Sequence, residues 1–222
     1  MNSETKIQLS KLEIDLIQNK EWILTKRSII NKVYQLFGEM HKIYKAISGQ
    51  ETASIIDFYK NTGGKISKGE NYKGLPYVIM DYPAAFTKEN IFAIRTMFWW
   101  GNFFSISLHL SGKKFQPKND LSKIFLFLKE KFFYICVNED EWQHNFEPSH
   151  YISASNLSEN KFNEISKRNF IKISKNLELN KWNAAPEFLE ESFKEIIDFL
   201  KISFPAGEKD LSPGFPKAGF DL

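Results

Sequence analysis

The stretch that decides the fold is Ile91-Phe92-Ala93-Ile94-Arg95-Thr96-Met97-Phe98-Trp99-Trp100-Gly101-Asn102-Phe103-Phe104-Ser105-Ile106-Ser107-Leu108-His109-Leu110-Ser111. Two β-rich runs flank a Gly-Asn break, and Ser111-Gly112 ends the second. Such paired runs around a short glycine-containing loop are the pattern of a β-hairpin. In the second run Phe104, Ile106, Leu108 and Leu110 share one side, and Ser105, Ser107 and His109 the other. In the first run Phe92, Ile94, Thr96, Phe98 and Trp100 share a side, opposite Ala93, Arg95, Met97 and Trp99. A competing reading has Thr87 cap a short helix over Glu89 to Ile94.

Alternation also ranks the registers, because a slip of one residue exchanges the faces. A two-residue loop at Gly101-Asn102 sets Arg95 against Leu108 and Phe98 against Ser105, mixing both faces. A three-residue loop, Gly101-Asn102-Phe103, opposes Phe98 to Ile106, Trp100 to Phe104 and Arg95 to His109. The clean apolar face favours the second register.

The favoured register leaves a second face carrying Arg95, Met97, Trp99, Ser105, Ser107 and His109. If Leu75–Tyr82 joins the sheet with Val78 and Met80 inward, Tyr77 and Asp81 reach that face too. A cation, a carboxylate, an imidazole, hydroxyls and aromatics on one surface suit a polar ligand with a planar or apolar part. The plainer reading is an ordinary mixed sheet face with an Arg95–Asp81 salt bridge. The candidate ligand-binding residues are therefore Tyr77, Asp81, Arg95, Trp99, Ser105, Ser107 and His109.

Working outward, Pro83 is expected to stop the strand that begins at Leu75. Residues 61–74, with four glycines and three lysines, read as a solvated loop. They do not make a phosphate cradle, because Gly64-Lys65 is followed by Ile66 and not by Ser or Thr. Upstream, Ser10 with Glu13 fits a capping box. A helical pattern then runs from about Glu21 to Ile47, with a possible kink at Gly38. Downstream come a helix from about Asp120 with Leu121, Ile124, Phe125 and Leu128 on one face, and a short strand over Phe132–Val137. A polar stretch to about residue 157, a helix from Ser158 to Ser166 and a strand over Phe170–Lys175 follow. Asn183 and Pro186 open a last helix carrying Leu189, Phe193, Ile196 and Leu200.

Helices first, then hairpins, then strands alternating with helices indicate an α+β fold. The expected sheet is mainly antiparallel, with helices packed on one face and an N-terminal helical segment. One domain is expected over 1–204, helical over 7–48 and sheet-rich over 72–204. Residues 205–222 form a Pro/Gly-rich tail whose Phe215 or Phe220 is expected to contact the body or a neighbouring chain.

The 222 residues are 26% charged, and 30 Lys+Arg against 27 Asp+Glu leave only +3. That balance implies no polyanion partner. The six lysines of residues 113–131 read as a solvated face, because the nearby phenylalanines are needed for the core, and no nucleic-acid partner is expected. A single cysteine, Cys136, excludes an internal disulfide framework and sits in an apolar run as a buried thiol. No run approaches the length of a membrane span, and the polar N-terminus leads into no signal-like segment, so a cytoplasmic protein without membrane contact is expected. Glu141-Trp142-Gln143-His144 has the Glu-x-x-His spacing of carboxylate metal sites, with Glu147 and His150 nearby. It occurs once and in a loop, so no metal is expected, and no cofactor either.

Gly74-Leu75-Pro76-Tyr77, Asp81-Tyr82-Pro83 and Phe98-Trp99-Trp100-Gly101-Asn102 form a distinctive block. It resembles that of a group of uncharacterised bacterial proteins of similar length with a Gly-Leu-Pro-Tyr…Asp-Tyr-Pro…Phe-Trp-Trp-Gly-Asn run. No activity attaches to the group, so the resemblance implies no catalytic residue. The leading functional expectation is a binding or interaction domain using the Trp99 face, its partner a small polar ligand or a protein. The alternative is an enzyme with His109 as acid–base group, Arg95 orienting an anionic substrate and Asp81 holding one of them.

Overall fold

The alternation of the quoted stretch becomes the centre of a seven-stranded sheet. The computed structural model describes residues 7–51, 55–117 and 120–205. Its strands are β1 (Lys65–Tyr72), β2 (Leu75–Phe86), β3 (Ile91–Trp99), β4 (Phe103–Ser111), β5 (Tyr134–Cys136), β6 (Tyr151–Ser153) and β7 (Phe170–Glu178), ordered β1-β2-β3-β4-β7-β5-β6. Every pairing is antiparallel. The helices are α1 (Lys11–Gln18), α2 (Lys20–Gln50), α3 (Ile55–Tyr59), α4 (Leu121–Glu130), α5 (Glu159–Ser166) and α6 (Ala185–Ser203). This is an α+β fold with an N-terminal helical segment, as the pattern of elements implies. None of the helices, among the described residues, is long and apolar enough to cross a membrane.

The apolar face packs under α2 and α6. Phe92, Ile94, Phe104, Ile106, Leu108 and Leu110 are buried with Phe37, Met40, Leu189 and Phe193 in one core. Burying that many aliphatic and aromatic side chains, at about 1.5–3 kcal/mol each, is the main favourable term in holding these layers together. Thr96, the one polar residue on this face of β3, is satisfied by Tyr44 Oη at 3.3 Å, while the Tyr44 hydroxyl donates to the Leu189 carbonyl at 3.2 Å. The Tyr44 ring stacks on Phe193 with centroids 3.9 Å apart, so α2, β3 and α6 meet at one side chain.

Three details differ from expectation. The hairpin closes one residue earlier on each strand, which moves every partner by two: Trp99 lies opposite Phe103, Phe98 opposite Phe104 and Arg95 opposite Ser107. A two-residue shift preserves the faces while changing every partner. The reason is the turn: Asn102 N–H donates to the Trp99 carbonyl, and Gly101 takes the positive φ of 70° that centres the turn there. Trp100 thus leaves the ladder.

Second, residues 65–72 of the expected loop form an edge strand on β2, joined through Lys73 and Gly74, both at positive φ. That is the two-residue hairpin geometry usually signalled by Asn-Gly, here carried by Lys-Gly. The lysines and glutamate of β1 suit a solvent-facing edge.

Third, β2 does not stop at Pro83. It passes it through a register shift between Asp81 and Ala84 and continues to Phe86. Proline, lacking an N–H, fits such an irregularity. The extra residue inverts the alternation, so Phe86 joins the side of Ile91 and Ala93 and not that of Phe92. Residues 87–90 make a turn, so the strand reading of β3 holds and the competing helix does not form.

The N-terminal capping box at Ser10 and Glu13 is present, and α2 runs unbroken past Gly38. The expected contacts of Phe215 and Phe220 lie outside the described residues.

Gly101 has no neighbour within 4 Å of the position its Cβ would take. Gly101→Ala should therefore destabilise through backbone conformation alone, by about 1–2 kcal/mol, in urea or thermal unfolding. An unchanged midpoint would show that the turn tolerates an ordinary side chain.

Candidate functional site

The second face of the sheet is not open. The connection from β5 to β6, residues 137–150, folds back across it as a strap. Trp99 is only 6% exposed, packed edge-on against Tyr72 at 5.1 Å and Phe103 at 5.4 Å. The cover comes from the chain itself, with Tyr72 of β1 among the residues packed on the indole.

Beneath the strap lies a polar centre. Arg95 grips Asp81 with two prongs, Nε to Oδ1 at 2.7 Å and Nη2 to Oδ2 at 2.8 Å. Arg95 Nη1 lies 3.2 Å from His144 Nε2 on the strap. His109 Nε2 meets the Glu141 carboxylate at 2.9 Å. Ser107 and Ser174 are 2.8 Å apart, and Ser174 donates to the Ile106 carbonyl. Ser105 is buried opposite Asn176. Tyr77, between Gly69 of β1 and Trp99 of β3, is half-buried. Asp81, Arg95 and His109 thus share one bonded network through His144, Lys172 and Glu141, while Ser107 pairs with Ser174 beside it. Trp99, Ser105 and Tyr77 share the face without a side-chain hydrogen bond to it.

Sequence reading missed the centre's most informative member. Lys172 is 1% exposed, and its Nζ donates to the carbonyls of Glu141 at 2.8 Å and Gln143 at 2.7 Å. Its third neighbour is His144 Nδ1 at 3.4 Å. Arginine can only donate, so His144 Nε2 accepts from Arg95 and the ring's proton sits on Nδ1. That Nδ1–H points at Lys172, whose neutral amine has two hydrogens for the two carbonyls and one lone pair for the imidazole. Every proton is matched when Lys172 is uncharged. Burial agrees, lowering the Lys172 pKa to about 7. His144 is held well below the usual histidine range by burial, reinforced by Lys172 and Arg95. His109 is lowered by burial against the pull of Glu141, whose own carboxyl is lowered by the His109 bond.

The strap has other fastenings. Tyr72 Oη accepts from the backbone N–H of His144 at 2.7 Å and of Asn145 at 3.2 Å, and Tyr151 donates to the Gln143 carbonyl at 3.0 Å. Glu141 and His144, read from their spacing as a possible metal pair, turn to different partners. No group of three or more His, Cys, Asp or Glu among the described residues is placed to hold a metal ion.

The void left inside is small, ≈10 Å³, lined by Arg95, Ser107, His109, His144 and Lys172 with Phe86 and Ala93. That is space for about one water-sized group.

A larger concavity opens on the helix side, at the tip of the β3–β4 hairpin. Two hollows of ≈350 Å³ each flank Trp100. One is walled by Ile29, Lys32, Phe98, Leu179 and Trp182, the other by Ile30, Lys26, Arg27, Lys68 and Tyr77. The cleft exists because Trp100 leaves the ladder and α2 runs on past the sheet, so the helix and the hairpin tip do not close on each other. Trp100 Nε1 is a buried donor without an acceptor among the described residues. No family model, curated protein or solved structure matches the chain in any of the three comparisons.

The Lys172 arrangement fixes a pH dependence. Between about 7 and its unfolded value of 10.5 the unfolded chain binds more protons at this group, so stability rises with pH; below about 7 both states are charged and the penalty is fully present. The wild type should gain stability from pH 7 to 9 relative to Lys172→Met, by up to about 1.4 kcal/mol per pH unit in urea titrations. Parallel profiles would show that Lys172 does not titrate there.

Proposed function

We propose that the protein is a small-molecule-binding domain whose site is the cleft astride Trp100, taking a ligand with a flat or aliphatic apolar body and an anionic group. The observation that carries this reading is the pair of hollows sharing the Trp100 indole, each in the ≈300–1,000 Å³ range of ligand pockets. Phe98, Trp100, Leu179 and Trp182 offer the apolar contact. Lys26, Arg27, Lys32 and Lys68 outnumber the one acidic wall residue, Glu70. A ligand oxygen would also give Trp100 Nε1 the acceptor it lacks. The binding function expected from the sequence is kept, and its site moves from the covered face to the opposite one. Cys136, free and buried, suits a reducing cytoplasmic setting.

A second reading retains the polar centre. His109 would work as acid–base group with Arg95 orienting an anionic substrate and Asp81 holding Arg95. Its support is the meeting of His109, His144, Lys172 and Arg95 around one void. It ranks below the cleft because Arg95 is already committed to Asp81 and His144, and a substrate enters only if the strap lifts.

Anilinonaphthalene sulfonate, an aromatic body with one anionic group, is a direct probe of the cleft. It should bind saturably at one site per chain, and Trp100→Ala and Lys32→Glu should each weaken it by about ten-fold. Ile17→Glu, on an exposed apolar helix away from the cleft, should leave that binding unchanged. Binding that survives both cleft variants and vanishes with Ile17→Glu would defeat the proposal.

A further inference from the structure

Nine of the fourteen large apolar side chains that the described residues leave exposed lie between Ile7 and Leu24. They include Leu12, Leu16 and Ile17 on α1 and Trp22, Ile23 and Leu24 at the start of α2, with Ile17 61% and Leu24 64% exposed. α1 buries no residue, and the first buried residue of α2 is Val33. The first two turns of α2, with α1 joined to them through Asn19, therefore stand clear of the sheet, and contact with the core begins at Ile29 and Ile30.

The distribution around the helices matters more than the count. At 100° per residue, Leu12, Leu16, Ile17 and Ile14 span an arc of about 200°, twice the stripe a helix needs to lie on one surface. Trp22, Ile23 and Leu24 are consecutive and point three ways. Helices apolar over that much of their circumference are covered on more than one side. A flat surface does not do this, whereas a second pair of similar helices does.

The charges favour the same chain as that second pair. α1 carries Lys11 against Glu13 and Asp15, while residues 20–27 carry Lys20, Lys26 and Arg27 against Glu21. None of Asp15, Lys20, Lys26 and Arg27 has an ion-pair partner among the described residues. In a twofold arrangement the acidic α1 of each copy lies on the basic start of α2 of the other, and the contact is self-complementary. The exposed portions of the nine residues come to about 900 Å² of surface, close to the about 800 Å² per partner of a standard stable interface and above the largest patch usual on a monomer.

The geometry points to a homodimer in which α1 and the first turns of α2 of two copies pack as a four-helix cluster. The occupant of this apolar surface is a second copy of the chain. The dimer does not rest on the ligand reading, although the two surfaces adjoin: Ile23, Lys26 and Arg27 at the start of α2 also line one of the hollows beside Trp100.

Analytical ultracentrifugation of the full chain at 1–100 µM tests it. A dimer is expected, converted to monomer by Leu16→Glu or Ile17→Glu, with helix content by circular dichroism unchanged because neither side chain is in the core. Asp15→Lys should weaken the dimer by about ten-fold, and that weakening should fade at high salt. A monomer at every concentration would overturn the proposal. So would a monomer that co-sediments with phosphatidylcholine–phosphatidylglycerol vesicles, which would make a lipid surface the occupant. A dimer indifferent to Leu16→Glu, Ile17→Glu and Asp15→Lys would also overturn it.

Discussion

Two hydrogen bonds from Lys172 Nζ to the carbonyls of Glu141 and Gln143 hold the strap to the sheet, and the rest of the second face depends on them. A sheet with Arg95, His109, Ser107 and Lys172 on one side would ordinarily leave that side in water. Once the strap removes the water, each polar group must find a partner within the chain, since an unpaired buried one costs about 1–3 kcal/mol. The partners come from the strap itself: Glu141 for His109, His144 for Arg95, and backbone oxygens for Lys172. Above a pH of about 7 the amine is uncharged, which removes the largest penalty, that of burying an ammonium without a counter-ion.

The opposite face has the simpler physics of apolar burial, and its limits set where ligands and partners can act. α2 has 31 residues, about 46 Å of helix, more than the sheet beneath it can use. From Val33 onward it carries the core residues Val33, Phe37, Met40 and Tyr44. Its N-terminal turns run past the hairpin tip, where Gly101 takes Trp100 out of the ladder. The cleft and the exposed apolar helices arise from that overhang.

Much of this was legible. The faces of β3 and β4, the approach of Asp81 to Arg95, the capping box and the spacing of Leu189, Phe193, Ile196 and Leu200 all follow from period and capping chemistry, which act over a few residues. The misses have equally local reasons. β1 was hidden because its residues are mostly polar, as an edge strand's can be, and its turn is Lys-Gly. The hairpin register slipped by two because alternation constrains parity and not partner. The inversion after Pro83 could not be read, because one extra residue in a strand leaves no mark in composition.

The sequence by itself determined the class of fold, the two faces of the central hairpin and the sharing of one face by Asp81, Arg95, Ser107 and His109. These depend on periodicity and on pairs of neighbouring strands. Only the tertiary structure decided that this face is closed, that Lys172 and His144 complete it, and that the open concavity lies beside Trp100. Strap and sheet meet across about 30 residues of chain between Glu141 and Lys172, and their hydrogen bonds run through backbone carbonyls, which every residue possesses and no pattern of side chains announces.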